Sequence, residues 1–261
     1  MQAKDLIEEL KMGARIPPIT CDTVKAGDTE KEVEKLALAM FATVDVIRAV
    51  KEWGADMLIV HEPTYYDHMD VFGADAVTTE KKKLLDESEI TVFRYHDCMH
   101  YRAEDLISKG ELHYLGLRGK VLPTPYAASH LFESDEPLTA LELVSRIEER
   151  LGVAHVRIAG ERNKKATRFA LCFGTPGGVF DLLKSEDVEI VLVGEACEWM
   201  LAEYARDAAA LGKNKSLITM GHIGSERDGM RLLAKALKDK HPQLAIRYFE
   251  SGEVYTYTDE E

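Results

Sequence analysis

Short unbroken apolar runs, each followed by an amphipathic segment, constrain this chain more than any other feature. Met57-Leu58-Ile59-Val60, Thr91-Val92-Phe93, Val191-Leu192-Val193 and Leu217-Ile218-Thr219-Met220 are such runs. A strand that is apolar at successive positions, rather than at alternate ones, is buried on both faces. That is the pattern of a parallel sheet covered by helices. The intervening segments read as helices. Residues 43–53 carry Val44, Ile47 and Val50 near helical spacing and stop at Gly54. Residues 139–151 open with Thr139 and Glu142 at capping-box spacing and carry Leu141, Val144, Ile147 and Leu151 as the expected buried stripe. Further helices are expected at 3–12, 79–88, 103–109 (ended by Gly110), 179–184, 196–211 and 227–238. Further strands are expected at 33–40, 153–158, 168–173 and 244–249. The expected fold class is α/β with largely parallel sheets. Pro123 and Pro125 punctuate the chain, so a first lobe is expected over 1–125 and a second over 126–226.

The composition narrows the function classes. With 33 basic and 46 acidic residues the formal charge is −13. An acidic surface argues against nucleic acid and against anionic membranes, both of which select basic proteins. The apolar runs fall far short of the roughly 20 residues that span a bilayer. Met1 to Lys11 is charged and amphipathic rather than an apolar leader. Cys21, Cys98, Cys172 and Cys197 show no C-x-x-C pair, so they are expected as reduced thiols. A cytoplasmic protein is the expectation.

The chemistry-bearing residues gather where the apolar runs end. The first run delivers His61 and Glu62, the second leads to His96-Asp97-Cys98-Met99-His100, and the fourth to Gly221-His222-Ile223-Gly224-Ser225-Glu226. In open α/β sheets ligands bind at the carboxyl ends of the strands. His96 and His100 are four apart, as are His222 and Glu226, so each pair shares one face of a helical turn. Imidazole and carboxylate together suit a borderline cation such as Zn²⁺, Mn²⁺ or Fe²⁺. The structural alternatives are a surface histidine pair for the first and a carboxylate at the positive end of a helix for the second. Gly174 to Gly178 reads as a tight strand-to-helix turn, with a phosphate nest at the helix N-terminus as the alternative, and Glu195 as a capping carboxylate. His68, His113, His130, His155 and His241 lack partners at useful spacing.

These motifs, in this order, resemble the Nif-three-like family, also described as GTP cyclohydrolase I type 2 homologues or dinuclear-metal-centre hexameric proteins. The likeness begins at Cys21-Asp22-Thr23-Val24-Lys25-Ala26-Gly27-Asp28 and continues through GADMLIVHEPTYY, RYHDCMH and VLVGE to GHIGSE. The family pattern has His-His at the first motif, H-x-x-x-D at the second and G-H-x-x-x-E at the third. Here Glu62 replaces the second His, and His100 replaces the Asp. His222 and Glu226 follow the pattern unchanged. The two departures are reciprocal, so the number of imidazole and carboxylate donors is preserved.

The resemblance implies two α/β lobes with a metal pair in the cleft between them. It implies a first lobe completed by 227–261 and a toroidal homohexamer, a trimer of dimers. It also implies two divalent ions per chain, Zn, Mn or Fe. Glu226 would bridge them, His61, Glu62, His100 and His222 would be terminal ligands, and His96 a ligand or its support. Glu62 or Asp97 would carry protons, and Tyr65 or Tyr66 would orient substrate or donate a proton. The reaction class expected is metal-assisted hydrolysis of a phosphate ester or a nucleotide ring amide. The alternative is a non-enzymatic metal-binding hexamer acting as a store, chaperone or regulatory partner.

Overall fold

The computed structural model describes residues 1–126 and 128–257; the acidic tail beyond them lies outside the described residues. The chain forms two compact units, Met1–Leu106 with Met230–Glu261, and Ile107–Gly229. It is a mixed α/β protein with one sheet in each unit.

The first unit holds β1 (Val24–Ala26), β2 (Lys35–Ala39), β3 (Met57–Val60), β4 (Thr91–Arg94) and the last strand of the chain, β11 (Ala245–Tyr248). Their order is β1-β4-β3-β2-β11. All neighbours are parallel except β1, which runs antiparallel to β4. Every residue of β3 and β4 is buried, as their unbroken apolar character requires. The helices are α1 (Ala3–Lys11), α2 (Val44–Trp53), α3 (Ala76–Asp86) and the single turn α4 (Asp97–His100). The α2 boundaries follow local chemistry. The Thr43 hydroxyl accepts from the Val46 amide at 3.1 Å, and Gly54 closes the helix at φ 76°. Val46, Ile47 and Val50 of α2 join Leu58, Val60 and Val92 in one core. Val60 stands opposite Arg94 in the β3–β4 register, so the residues that follow each strand emerge at the same sheet edge.

The second unit departs from the expected parallel pattern. Its strands are β5 (Gly119–Leu122), β6 (His130–Leu138), β7 (Arg157–Gly160), β8 (Ala166–Cys172), β9 (Ile190–Val193) and β10 (Ser216–Thr219), in the order β5-β6-β8-β9-β10-β7. Only β8-β9-β10 are parallel; β5, β6 and β7 are antiparallel additions on the two sides. β5 and β6 lie outside the strands expected from the sequence. β6 contains the polar string Glu133-Ser134-Asp135-Glu136 and is buried only at intervals, which resembles a loop when read one residue at a time.

The helices here are α5 (Leu106–Leu115), α6 (Ala140–Leu151), α7 (Val179–Lys184), α8 (Glu203–Ala210) and α9 (His222–Lys240), which passes at its end into the first unit. Thr139 and Glu142 do form the capping box. The stripe they open is Ala140, Leu143, Val144, Ile147 and Leu151, while Leu141 faces solvent. Leu141 lies about 100° around the helix from Ala140, off the 3.6-residue line. Gly110 does not end α5. A Cβ there would lie 2.4 Å from the Cα of Gly229, so this glycine serves close backbone approach within a continuing helix. The expected helix 196–211 begins as a π-helical turn (Glu198–Ala202) before α8.

Candidate metal centre

Three histidines converge in the first unit. His61 follows β3, His96 follows β4 and precedes α4, and His100 ends α4. One ring nitrogen from each lies within 4.8 Å of the others'. The rings of His61 and His96 stack at 4.6 Å, and His100 meets both edge-on at 5.1 and 4.9 Å.

In each ring an oxygen acceptor fixes the tautomer. The Nδ1 of His61 lies 3.1 Å from the Tyr95 carbonyl, which can only accept. His96 Nδ1 lies 3.1 Å from Asp97 Oδ1, and His100 Nδ1 lies 2.8 Å from Asp105 Oδ2. Nδ1 is therefore the protonated nitrogen and Nε2 keeps the lone pair, the arrangement that supports metal-ligating histidines. Glu62 adds a carboxylate. Its Oε1 stands 3.9 Å from Nε2 of both His61 and His96, and its Oε2 stands 3.5 Å from the buried Arg94 guanidinium.

The supporting groups come from far along the chain. Asp22 is fully buried, and its carboxylate accepts from the backbone amides of His96, Asp97 and Cys98 at 2.9, 2.7 and 2.8 Å. A helical turn of four residues has no partners of its own for these amides, so Asp22 is what forms α4. Arg94 donates to the carbonyls of His61 and His68 and stands 3.6 Å from Asp70, which also pairs with Lys25 at 2.8 Å. It locks the segment after β3 to the strand beside it.

The second unit carries the third motif. His222 opens α9 and Glu226 lies one turn on, with Nε2 and Oε2 3.1 Å apart, as their spacing predicts. Glu195, just after β9, holds His222 Nδ1 at 2.6 Å. The expected capping carboxylate is thus the histidine's orienting group. Gly174 covers Glu226: at φ 64°, a Cβ there would come within 2.5 Å of Oε1. Ser225 accepts from the Gly174 amide at 2.9 Å and fixes the loop on α9.

In the first unit three histidines with Nδ1 tied to oxygen, together with Glu62, form a donor set that could hold a divalent metal ion; in the second unit His222 and Glu226 offer a further imidazole and carboxylate. Asp97 sits among Thr20 (2.7 Å), the Cys21 amide (3.3 Å) and His96. Burial raises its pKa, but the hydrogen bonds from His96 and Thr20 outweigh this and hold the carboxyl below the usual range. Tyr65 packs in the core of the first unit with Leu85 and Val92 and meets Phe72 edge-on at 5.6 Å, where burial pushes its phenol up to about 12. Tyr66 is exposed at φ 64°. Sequence reasoning missed Asp105, Glu195, Arg94 and His68. Of these only Glu195 left a signal, as a carboxylate directly after a parallel strand.

Burial and the neighbouring His96 push the His61 pKa well below the ordinary histidine value, against the pull of Glu62. His61 is therefore neutral in the folded protein, whereas the unfolded chain binds a proton below about pH 6.5. The unfolded state takes up more protons in that window, so stability falls as the pH drops from 7 toward 5. The slope reaches about 1.4 kcal/mol per pH unit for this one group. Urea midpoints of metal-free protein at pH 7 and pH 5 should show the loss, and His61→Asn should flatten it. Equal slopes in the two proteins would contradict the assignment.

The model of the family described as Duf34/NIF3 (NGG1p interacting factor 3) matches residues 23–253. A protein of Clostridium perfringens called "GTP cyclohydrolase 1 type 2 homolog" is 23% identical over 223 residues, 82% of this chain and 81% of its own. The solved structure of protein ybgI, titled as of unknown function, superposes with a TM-score of 0.80 at 22% identity, covering 97% of this chain and 99% of that one. A Bacillus cereus protein related to NIF3 gives 0.77 at 13% identity and 99% coverage of both. At these identities the structural likeness concerns the fold. No helix among the described residues is long and apolar enough to cross a membrane.

Proposed function

This chain belongs to the Duf34/NIF3 family, and from that membership and its donor geometry we propose that it is a dinuclear metal-dependent hydrolase. The observation that carries the proposal is the shared anchoring of His61, His96, His100 and His222 through Nδ1. Each has its Nδ1 on an oxygen acceptor, leaving Nε2 as the ligating atom. His61, Glu62, His96, His100, His222 and Glu226 would hold two divalent ions.

When bound, the ions supply Lewis acidity to an oxygen-rich electrophile and lower the pKa of water in contact with them. The protein's own groups do the rest. Asp97, Asp105, Glu195 and the Tyr95 carbonyl orient the four rings. Arg94 anchors one oxygen of Glu62 and leaves the other facing His61 and His96, so Glu62 serves as ligand or as proton acceptor. Asp97, held ionised, acts through His96. The substrate class is a phosphate ester or a nucleotide ring amide. The homohexamer and a cytoplasmic location belong to the same proposal.

Elemental analysis of protein purified without added metal or chelator tests it. About two equivalents per chain are expected, falling in His100→Ala and in His222→Ala. Absence of metal, and of uptake from Zn²⁺, Mn²⁺ or Fe²⁺, would sink the proposal. Metal uptake without turnover across phosphate esters and nucleotides would favour the storage or chaperone alternative.

A further inference from the structure

A second set of donors lies in the first unit and contains sulfur. Cys21, His68 and Asp97 each bring one ligand atom within 4.8 Å of the other two. They arrive from three places: the segment before β1, the loop after β3, and α4. None belongs to the imidazole and carboxylate set described above, although Asp97 touches that set through His96.

The surroundings of the thiol are unusual for a structural cysteine. Buried cysteines ordinarily pack as small hydrophobes. The Cys21 sulfur instead lies 3.5 Å from Asp97 Oδ1 and 3.8 Å from Asp22 Oδ1, in a polar environment. Asp97 is fixed by the Thr20 hydroxyl and the Cys21 amide, so thiol and carboxylate form one rigid pair. His68 is exposed, but its loop is pinned. Asp67 accepts from the amides of Met69 and Val71, Asp70 accepts from those of Thr64 and Tyr65, and Arg94 holds the His68 carbonyl. The His68 ring rests edge-on against His96 at 5.5 Å.

We propose that Cys21, His68 and Asp97 form a separate, thiolate-containing site for a Zn²⁺-class cation. One sulfur, one nitrogen and one oxygen donor suit a borderline metal and discriminate against Mg²⁺ and Ca²⁺, which take oxygen ligands. On binding, the Cys21 S–H bond breaks, its proton leaves to solvent, and a sulfur–metal bond forms; no electron is transferred. Three protein donors leave a fourth tetrahedral position beside exposed His68 for water or an incoming ligand. The site differs from a closed structural zinc site in that respect.

Cobalt(II) titration of the metal-stripped full-length chain tests this, since thiolate ligation gives a near-ultraviolet charge-transfer band that imidazole and carboxylate ligation do not. One equivalent per chain should carry the band. It should vanish in Cys21→Ser, persist in Cys197→Ser, and require at least about tenfold more cobalt in His68→Ala. The His68 side chain is exposed, so its removal reports on the site even where a core variant misfolds. His222→Ala should keep the band, which separates this site from the proposed dinuclear centre. No band at saturating cobalt, a band that survives Cys21→Ser, or an unchanged His68→Ala titration would each overturn the proposal.

Discussion

Replacing Asp22 with alanine is expected to abolish metal uptake by His96 and His100 together, although neither histidine is altered. The Asp22 carboxylate accepts three backbone amides, those of His96, Asp97 and Cys98, inside the protein. Alanine would leave all three donors without an acceptor. Each such loss costs about 1–3 kcal/mol, so the total is on the order of 3–9 kcal/mol unless the turn opens and lets water in. Opening is the cheaper outcome for a turn of only four residues. It would destroy the i, i+4 relation of the two rings. Asp22→Asn keeps one acceptor oxygen but turns an amide N–H₂ toward a backbone donor, so it should recover only part of the loss. Metal stoichiometry and urea midpoints of the two variants check this. An alanine variant with full metal content and a midpoint near the parent's would show that α4 stands without Asp22.

The second large effect is expected at Arg94. Its guanidinium is fully buried beside Glu62 and Asp70 and donates to the carbonyls of His61 and His68. Arg94→Met preserves much of the volume and removes the charge. Asp70 retains Lys25, but the buried Glu62 loses its fixed cation. Breaking a buried pair by removing one partner typically costs about 3–5 kcal/mol, because the other charge is left uncompensated. Arg94→Lys should rescue little, since a single ammonium cannot reach two carbonyls and two carboxylates at once. The double variant Arg94→Met/Glu62→Gln should recover part of the loss, and the cycle gives the coupling between the two groups. A single variant within about 1 kcal/mol of the parent would rule out this role. So would a double variant no more stable than the additive expectation.

The sequence by itself determined the ligand candidates and the strands that carry them. His96 with His100, and His222 with Glu226, are related by one helical turn, and His61-Glu62 follows a strand whose apolar run is continuous. These are short-range relations, visible within ten residues. The α6 cap was legible for the same reason, since Thr139 acts on an amide three residues ahead.

Tertiary structure alone decided what holds those ligands. Asp22 meets the His96 amide across 74 positions, Arg94 meets Glu62 across 32, and Glu195 meets His222 across 27. No local spacing encodes such pairs, because a carboxylate's partner is set by which strands become neighbours. The donors that meet at Cys21 became visible in the same way, as His68 looked isolated until its loop was placed. The antiparallel β5 and β6 were hidden for a related reason: a strand with one wetted face carries polar residues that only the position of its sheet explains.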